Sequence, residues 1–239
     1  MNNNLENATT FYRWMNGLST LLFPRICVLC GNQLFKSESL LCRYCLQHLP
    51  RTHFEAYRHN KVEQIFWGRV KLEYGFSIYY FRKREQVQQL MHEIKYRNNR
   101  ELAFIIGQEM GRILKDAKLT DDINYLIPVP LHEKKLRIRG YNQSELICNG
   151  LSDATGIPLA TQILQRANFT STQTNKARYD RWENVENSFV VNNFTLGNNH
   201  FLLIDDVITT GATLEACCHA LLQISGAKVS VGSVAYASD

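Results

Sequence analysis

Apolar positions change period along this chain, and each change outlines an element. Phe11, Trp14, Met15, Leu18, Leu21 and Leu22 recur at helical spacing and stop at Pro24. This predicts a short amphipathic helix over 11–23, docked on the body of the protein. Trp67–Phe81 is dense in aromatic and β-branched side chains and reads as a hairpin. Val87, Leu90, Met91 and Ile94 form one helical stripe; Leu102, Ile106, Met110, Ile113 and Leu114 form a second, with Asn98-Asn99 between them. Ile123–Val129 is the next apolar run and enters Pro128-Val129-Pro130, after which Ser144–Ala154 returns to helical spacing and stops at Gly156 and Pro158. Leu159–Leu164 and Ala227–Ala235 read as strands, as does the apolar run Phe201–Ile204 ahead of Asp205-Asp206. Beyond Thr213, side chains Leu214, Cys217, Cys218, Leu221 and Leu222 share one helix face, and Gly226 supplies the stop. Strands alternating with helices from about residue 84 onward predict the α/β class, a parallel sheet flanked by helices.

Composition sets the scale. A chain of 239 residues, 45% hydrophobic, holds one medium α/β domain and a small module. The expected division places the small module in 1–60, with the polar stretch Arg51–Asn60 as a linker, and the α/β domain in 61–239. A formal net charge of +5 is a mild bias toward anionic partners. No run of eighteen apolar residues is present, so no membrane span is expected. Met1-Asn-Asn-Asn-Leu-Glu carries none of the basic residues of a secretory leader, and the expected location is the cytoplasm.

The small module contains Cys27-Val-Leu-Cys30 and Cys42-Arg-Tyr-Cys45, two CxxC knuckles with eleven residues between them. Four thiolates on two such turns can close a tetrahedron around structural Zn²⁺ with no open position for catalysis, as in a zinc ribbon. A disulfide framework belongs to small secreted chains, which this sequence does not resemble. Cys148, Cys217 and Cys218 fall in helical patterns and are expected to pack as small apolar side chains.

The second chemical signal is Asp205-Asp206-Val-Ile-Thr209-Thr210-Gly211-Ala212-Thr213, placed between a strand and a helix. Backbone N–H groups at a helix start are unpaired and favour phosphate. Gly211 permits close main-chain approach, and the threonine hydroxyls add donors. The adjacent carboxylates can accept bonds from sugar hydroxyls or help to hold Mg²⁺. A phosphate pocket beside a diol or metal pocket suits a sugar phosphate. The string closely resembles the 5-phosphoribosyl-1-pyrophosphate (PRPP) signature of type I phosphoribosyltransferases. That resemblance implies a phosphate cradle at Thr209, Thr210, Gly211, Ala212 and Thr213, with Asp205 and Asp206 on the ribose and Mg²⁺ accompanying the PRPP.

A third signal is the basic stretch 131–143, read as a loop, with Lys134, Lys135, Arg137 and Arg139 within six residues. It leaves a strand end, so it should face the same crevice as the acidic pair. Its cations suit a pyrophosphate or a nucleic-acid backbone. Pro-Val-Pro followed by Arg137-Ile-Arg139-Gly140-Tyr141-Asn142-Gln143 resembles the ComF family of competence proteins, which includes GntX-type DNA-utilisation proteins. Ile94-Lys95-Tyr96, the four-cysteine module, the PRPP string and the series Gln173, Arg178, Arg181, Asn184 and Phe189 extend the resemblance over most of the chain.

The family resemblance implies a type I phosphoribosyltransferase fold that handles internalised single-stranded DNA in transformation or DNA utilisation. Other DNA-uptake proteins are the implied partners. Lys95, Arg97 and Arg100 can join the basic stretch in a groove, with Tyr96 and Tyr141 as base-stacking candidates. Two other functions stay open: an active phosphoribosyltransferase with an unidentified acceptor, and a non-catalytic PRPP-responsive regulator. No residue is assigned as catalytic.

Overall fold

The run Phe201–Ile204 is fully buried because it lies inside a sheet covered on both faces. A computed structural model describes residues 24–166, 189–192 and 199–237. The helix expected over 11–23 lies outside these residues, as do Gln173, Arg178, Arg181 and Asn184. Two units are separated, Met1–Leu49 and Pro50–Asp239.

In the first unit, Ile26 and Gln33 form an antiparallel bridge across the first knuckle, and helix α1 (Arg43–His48) begins inside the second. Leu29, Leu34, Leu41 and Leu49 supply a small core. Glu38 ties the intervening loop: its carboxylate accepts from the N–H groups of Phe35 at 2.8 Å and Arg43 at 2.7 Å.

The second unit starts with residues expected to be a linker. They pack instead: Thr52, Phe54 and Asn60 are buried, and Asn60 caps α2 (Lys61–Ile65) while its amide donates to the carbonyls of Phe54 and Gly75. The expected hairpin at 67–81 is a single strand, β1 (Gly75–Phe81), paired in parallel with the last strand. Aromatic and β-branched content does not separate a hairpin from a strand buried in a parallel sheet, because both have the same composition. Helices α3 (Gln86–Tyr96) and α4 (Arg100–Asp116) follow, with Asn99 capping α4.

Next come β2 (Tyr125–Pro128), α5 (Glu133–Arg139) and α6 (Gln143–Thr155). Short strands β3 (Leu164–Arg166) and β4 (Phe189–Val191) pair antiparallel. They replace the strand expected over 159–164, of which only Leu159 bridges to Leu126. The unit ends with β5 (His200–Ile208), α7 (Ala212–Leu221) and β6 (Lys228–Ala237).

The main sheet has the order β1-β6-β5-β2, parallel throughout. On β5, pairing with β2 stops at Ile204, whereas pairing with β6 continues to Ile208. Pro128 and Pro130 lack the N–H needed to extend the β2 ladder. The strand therefore peels away and opens a crevice beside Asp205 and Asp206.

Helix α6, which enters that crevice, is set by its packing on α4. A Cβ built on Gly107 would lie 2.0 Å from the Ile147 carbonyl oxygen, and one on Gly150 would lie 1.9 Å from that of Phe104. The two backbones touch where both residues lack a side chain, which fixes where α6 begins.

Candidate functional site

Asp205 and Asp206 are the sixth and seventh of the nine residues of β5, and residues 209–211 turn the chain into α7. Gly211 adopts a left-handed φ of 75° at the helix N-cap position and has no side chain to cap α7; the Ala212 N–H donates to Thr210 Oγ1 at 3.5 Å. Arg69 holds this turn from outside. Its Nη1 donates to the carbonyls of Ile65 at 3.0 Å and Thr210 at 3.3 Å, while its Nε donates to Glu215 Oε1 at 3.0 Å. The turn and the start of α7 line a small recess together with Asp205.

The adjoining cavity, of about 150 Å³, is lined by Lys95, His132, Lys135, Arg139, Gln143, Ser144, Arg166, Asp205, Asp206 and Thr213, with the Val129–Leu131 turn. A single water needs about 10–15 Å³, so the cavity holds a group of several heavy atoms. Lys95 Nζ stands 3.1 Å from Asp206 Oδ2. Ser144 Oγ donates to Asp205 Oδ1 at 3.3 Å, and the Asp206 N–H donates to the same oxygen at 2.8 Å. Burial, then the neighbouring Asp206 charge, push the Asp205 carboxyl up to about 7 against the opposing pull of these donors and of Lys95. A carboxylate held so far above its ordinary range gains from any hydroxyl or cation that reaches it.

The basic stretch forms a helix where a loop was expected. Glu133-Lys-Lys-Leu-Arg-Ile-Arg139 contains good helix formers and no Gly or Pro. His132 Nδ1 accepts from the Lys134 N–H at 3.1 Å, Glu133 faces Arg137 at 3.5 Å, and Gly140 closes the helix. Helical spacing then divides the four cations. Lys135 and Arg139, one turn apart, line the cavity with the acidic pair, whereas Lys134 and Arg137 do not. Arg139 lies over the Tyr96 ring at 5.4 Å.

The two tyrosines also separate. Tyr96 is 63% exposed with Arg139 over its ring, but Tyr141 is 7% exposed, donates to the Ile94 carbonyl and lies beneath Arg100. Tyr141 is therefore a packing residue that joins α3 to the turn before α6. Sequence reasoning placed Lys95 in a groove without seeing that it faces Asp206. It gave no signal for Ser144 or for the Arg69–Glu215 tie, both of which depend on tertiary contacts.

In the first unit, the sulfur atoms of Cys27, Cys30, Cys42 and Cys45 all lie within 4.8 Å of one another. Zn–S bonds of about 2.3 Å in a tetrahedron give S···S edges of about 3.8 Å, and Cys30 and Cys42 stand 3.7 Å apart. Backbone N–H groups of Cys42 and Cys45 donate to the sulfurs of Cys27 at 3.4 Å and Cys42 at 3.3 Å. Burial raises the Cys27 thiol, but the N–H donors of Cys42, Cys30 and Leu29 outweigh it and bring the pKa to about 7. Donor set and spacing fit a metal ion such as zinc. Cys148, Cys217 and Cys218 are buried thiols, as their helical positions implied.

A parallel sheet with an acid pair and a Thr/Gly turn at the carboxyl end of a central strand defines a phosphoribosyltransferase-type fold. The phosphoribosyl transferase domain family matches residues 142–239, which contain that turn. Competence protein F of Haemophilus influenzae is 32% identical over 165 residues, covering 64% of this chain and 69% of that protein. DNA utilization protein YhgH of Salmonella typhimurium is 31% identical over 148 residues, covering 59% of this chain and 63% of that protein. The chain belongs to the ComF family. Adenine phosphoribosyltransferase of Saccharomyces cerevisiae aligns at 18% identity over 59% of this chain and 72% of that one, with a TM-score of 0.39, too slight a likeness to carry argument. Among the described residues, no helix is long and apolar enough to cross a membrane.

Proposed function

We propose that this chain serves competence or DNA utilisation in the cytoplasm, binding single-stranded DNA and carrying a PRPP pocket. The reading rests on one observation above the others: a half-buried acidic pair stands directly beside a helix start with glycine at its N-cap and a cation-lined cavity. In it, Thr209–Thr213 hold the 5-phosphate, and Asp205 and Asp206 accept from the ribose hydroxyls. Lys135 and Arg139 face the pyrophosphate, and Asp205 and Asp206 would help to hold a Mg²⁺ that would offset its negative charge. Lys95 neutralises Asp206 until ligand arrives. Ser144 keeps Asp205 oriented, while the Arg69–Glu215 tie keeps the Thr210 carbonyl out of the phosphate recess.

The four cysteines hold structural zinc in a module that supports the chain without taking part in this chemistry. The names of the two relatives supply the biological direction. The charge on α5 supplies the chemistry for DNA, since Lys134 and Arg137 lie outside the cavity and Lys135 and Arg139 line it. Phosphate contacts of this kind position a strand without reading its sequence.

Titration of full-length protein with PRPP and Mg²⁺ tests the pocket. The Asp205→Ala/Asp206→Ala double variant should keep its fold and lose affinity, and equal affinity in both proteins would exclude the assignment. Release of pyrophosphate with candidate acceptors, followed in the same samples, separates a transferase from a binding protein.

A further inference from the structure

We propose that Gln143 is a ligand-binding residue of the crevice, donating its side-chain amide N–H to an oxygen of a phosphate or pyrophosphate group held by Lys135 and Arg139. The proposal deepens the sugar-phosphate reading given above and rests on it for the identity of the rest of the ligand. Gln143 is the first residue of α6 and is 1% exposed. Its Oε1 accepts from Arg139 Nη1 at 2.9 Å. A guanidinium has donors and no acceptor, so this bond fixes which way the amide is turned: oxygen to Arg139, nitrogen away from it. Nε2 is then a buried donor with no partner in the protein. Native structures rarely leave such a group unmade, and this one belongs to a residue lining the 150 Å³ cavity.

The missing partner must be an acceptor. Two carboxylate oxygens of the crevice are engaged elsewhere, Asp205 Oδ1 by Ser144 and by the Asp206 N–H, and Asp206 Oδ2 by Lys95, and no protein acceptor reaches Nε2. A ligand that enters among Lys135, Arg139 and Arg166 brings anionic oxygens with it, and one of these can take the N–H that the protein leaves unpaired. Nor is Gln143 needed to start the helix, because Asn142 caps α6 through the Ser144 N–H at 3.1 Å. The same amide oxygen also steadies Arg139, whose guanidinium lies over Tyr96. One side chain thus orients a cation and adds a neutral donor beside it. A neutral donor contributes direction without further charge and favours a phosphoryl group seated in the crevice over one passing across its mouth.

Isothermal titration of the full chain with inorganic pyrophosphate and, separately, with ribose 5-phosphate and PRPP, decides the matter. Gln143→Leu should weaken pyrophosphate about tenfold to a hundredfold, the value of a hydrogen bond to a charged group. Gln143→Glu, which places a carboxylate at the same position, should weaken it further. Ribose 5-phosphate affinity should stay within about twofold. The urea midpoint of Gln143→Leu should change little, because loss of the bond to the half-buried Arg139 is offset by removal of an unpaired buried N–H.

Pyrophosphate binding like wild type in both variants would overturn the proposal and leave the amide to a water. Equal loss for all ligands together with a lowered midpoint would overturn it in favour of a packing role. If Gln143→Leu does not fold, the near-isosteric Gln143→Glu decides alone. Wild-type protein that binds pyrophosphate but neither ribose 5-phosphate nor PRPP would refute the sugar-phosphate reading, while a weakened Gln143→Leu would still uphold the amide contact. Wild-type protein that binds none of the three would refute both.

Discussion

Replacing Gly211 with alanine probes the turn on which the pocket depends. At φ 75° an added Cβ lies in the left-handed region, at a cost of about 1–2 kcal/mol. It also meets Ile65 Cγ2 at 2.7 Å and Phe66 Cζ at 3.0 Å, and crowding of this kind costs about 1–3 kcal/mol. The sum is a loss of about 2–5 kcal/mol of folding stability. Gly140 is the internal control. Its φ is 73°, but the nearest atom to an added Cβ is Arg100 Nη2 at 3.6 Å, so Gly140→Ala should cost only the backbone part, about 1–2 kcal/mol. Urea unfolding of both variants gives the difference directly. Trimming the clashing methyl in Ile65→Ala/Gly211→Ala should recover part of the loss as a coupling energy in a double-mutant cycle. Equal losses for Gly211→Ala and Gly140→Ala, with no coupling to Ile65, would refute the crowding argument. A variant that folds should also bind PRPP more weakly, since relief of the clash moves the N–H groups of the turn.

Asp205 makes stability depend on pH. Its folded pKa of about 7 lies above the ordinary 3.8, so the native state binds more protons between those values and stability falls as pH rises from 4 to 7. Asp205→Asn should flatten that limb and raise stability at pH 8 while weakening PRPP, and an unchanged pH profile would count against the burial argument. Metal analysis should find one zinc per chain; its binding free energy is about 10–16 kcal/mol at neutral pH. Chelation, or Cys45→Ser, should therefore expose 24–49 to protease while the unfolding transition of the 50–239 unit persists; disulfides or no metal at these cysteines would refute the site. Four phosphate contacts from Lys134, Lys135, Arg137 and Arg139 predict a slope of log affinity for single-stranded DNA against log salt of about −3. Because Lys135 and Arg139 line the cavity, saturating PRPP with Mg²⁺ should flatten it by about 1.4, and an unaltered slope would show that the two ligands share no cations.

The sequence alone determined the α/β class, helices α3, α4 and α6, and strands β2, β5 and β6. Each is long enough, or apolar enough, for its period to be read without neighbours. It also determined the cysteine cluster and the Asp205–Thr213 string, because chemistry confined to a few adjacent residues needs no tertiary information. The stretch 67–81 is not a hairpin for the opposite reason: aromatic content marks a buried strand but does not name its partner, and β1 pairs with a strand some 150 residues away. The basic stretch is a helix rather than the expected loop because His132, Glu133 and Gly140 together start and close it, which charge density alone does not reveal. Only the tertiary structure could split its four cations between the cavity and the outside, bury Tyr141 while leaving Tyr96 exposed, and bring Lys95, Ser144 and Gln143 from two helices to the end of β5. These placements follow from the close approach of α4 and α6 at Gly107 and Gly150 and from the departure of β2 at Pro128. Side chains far apart in sequence meet only where packing sets the position of the backbones that carry them.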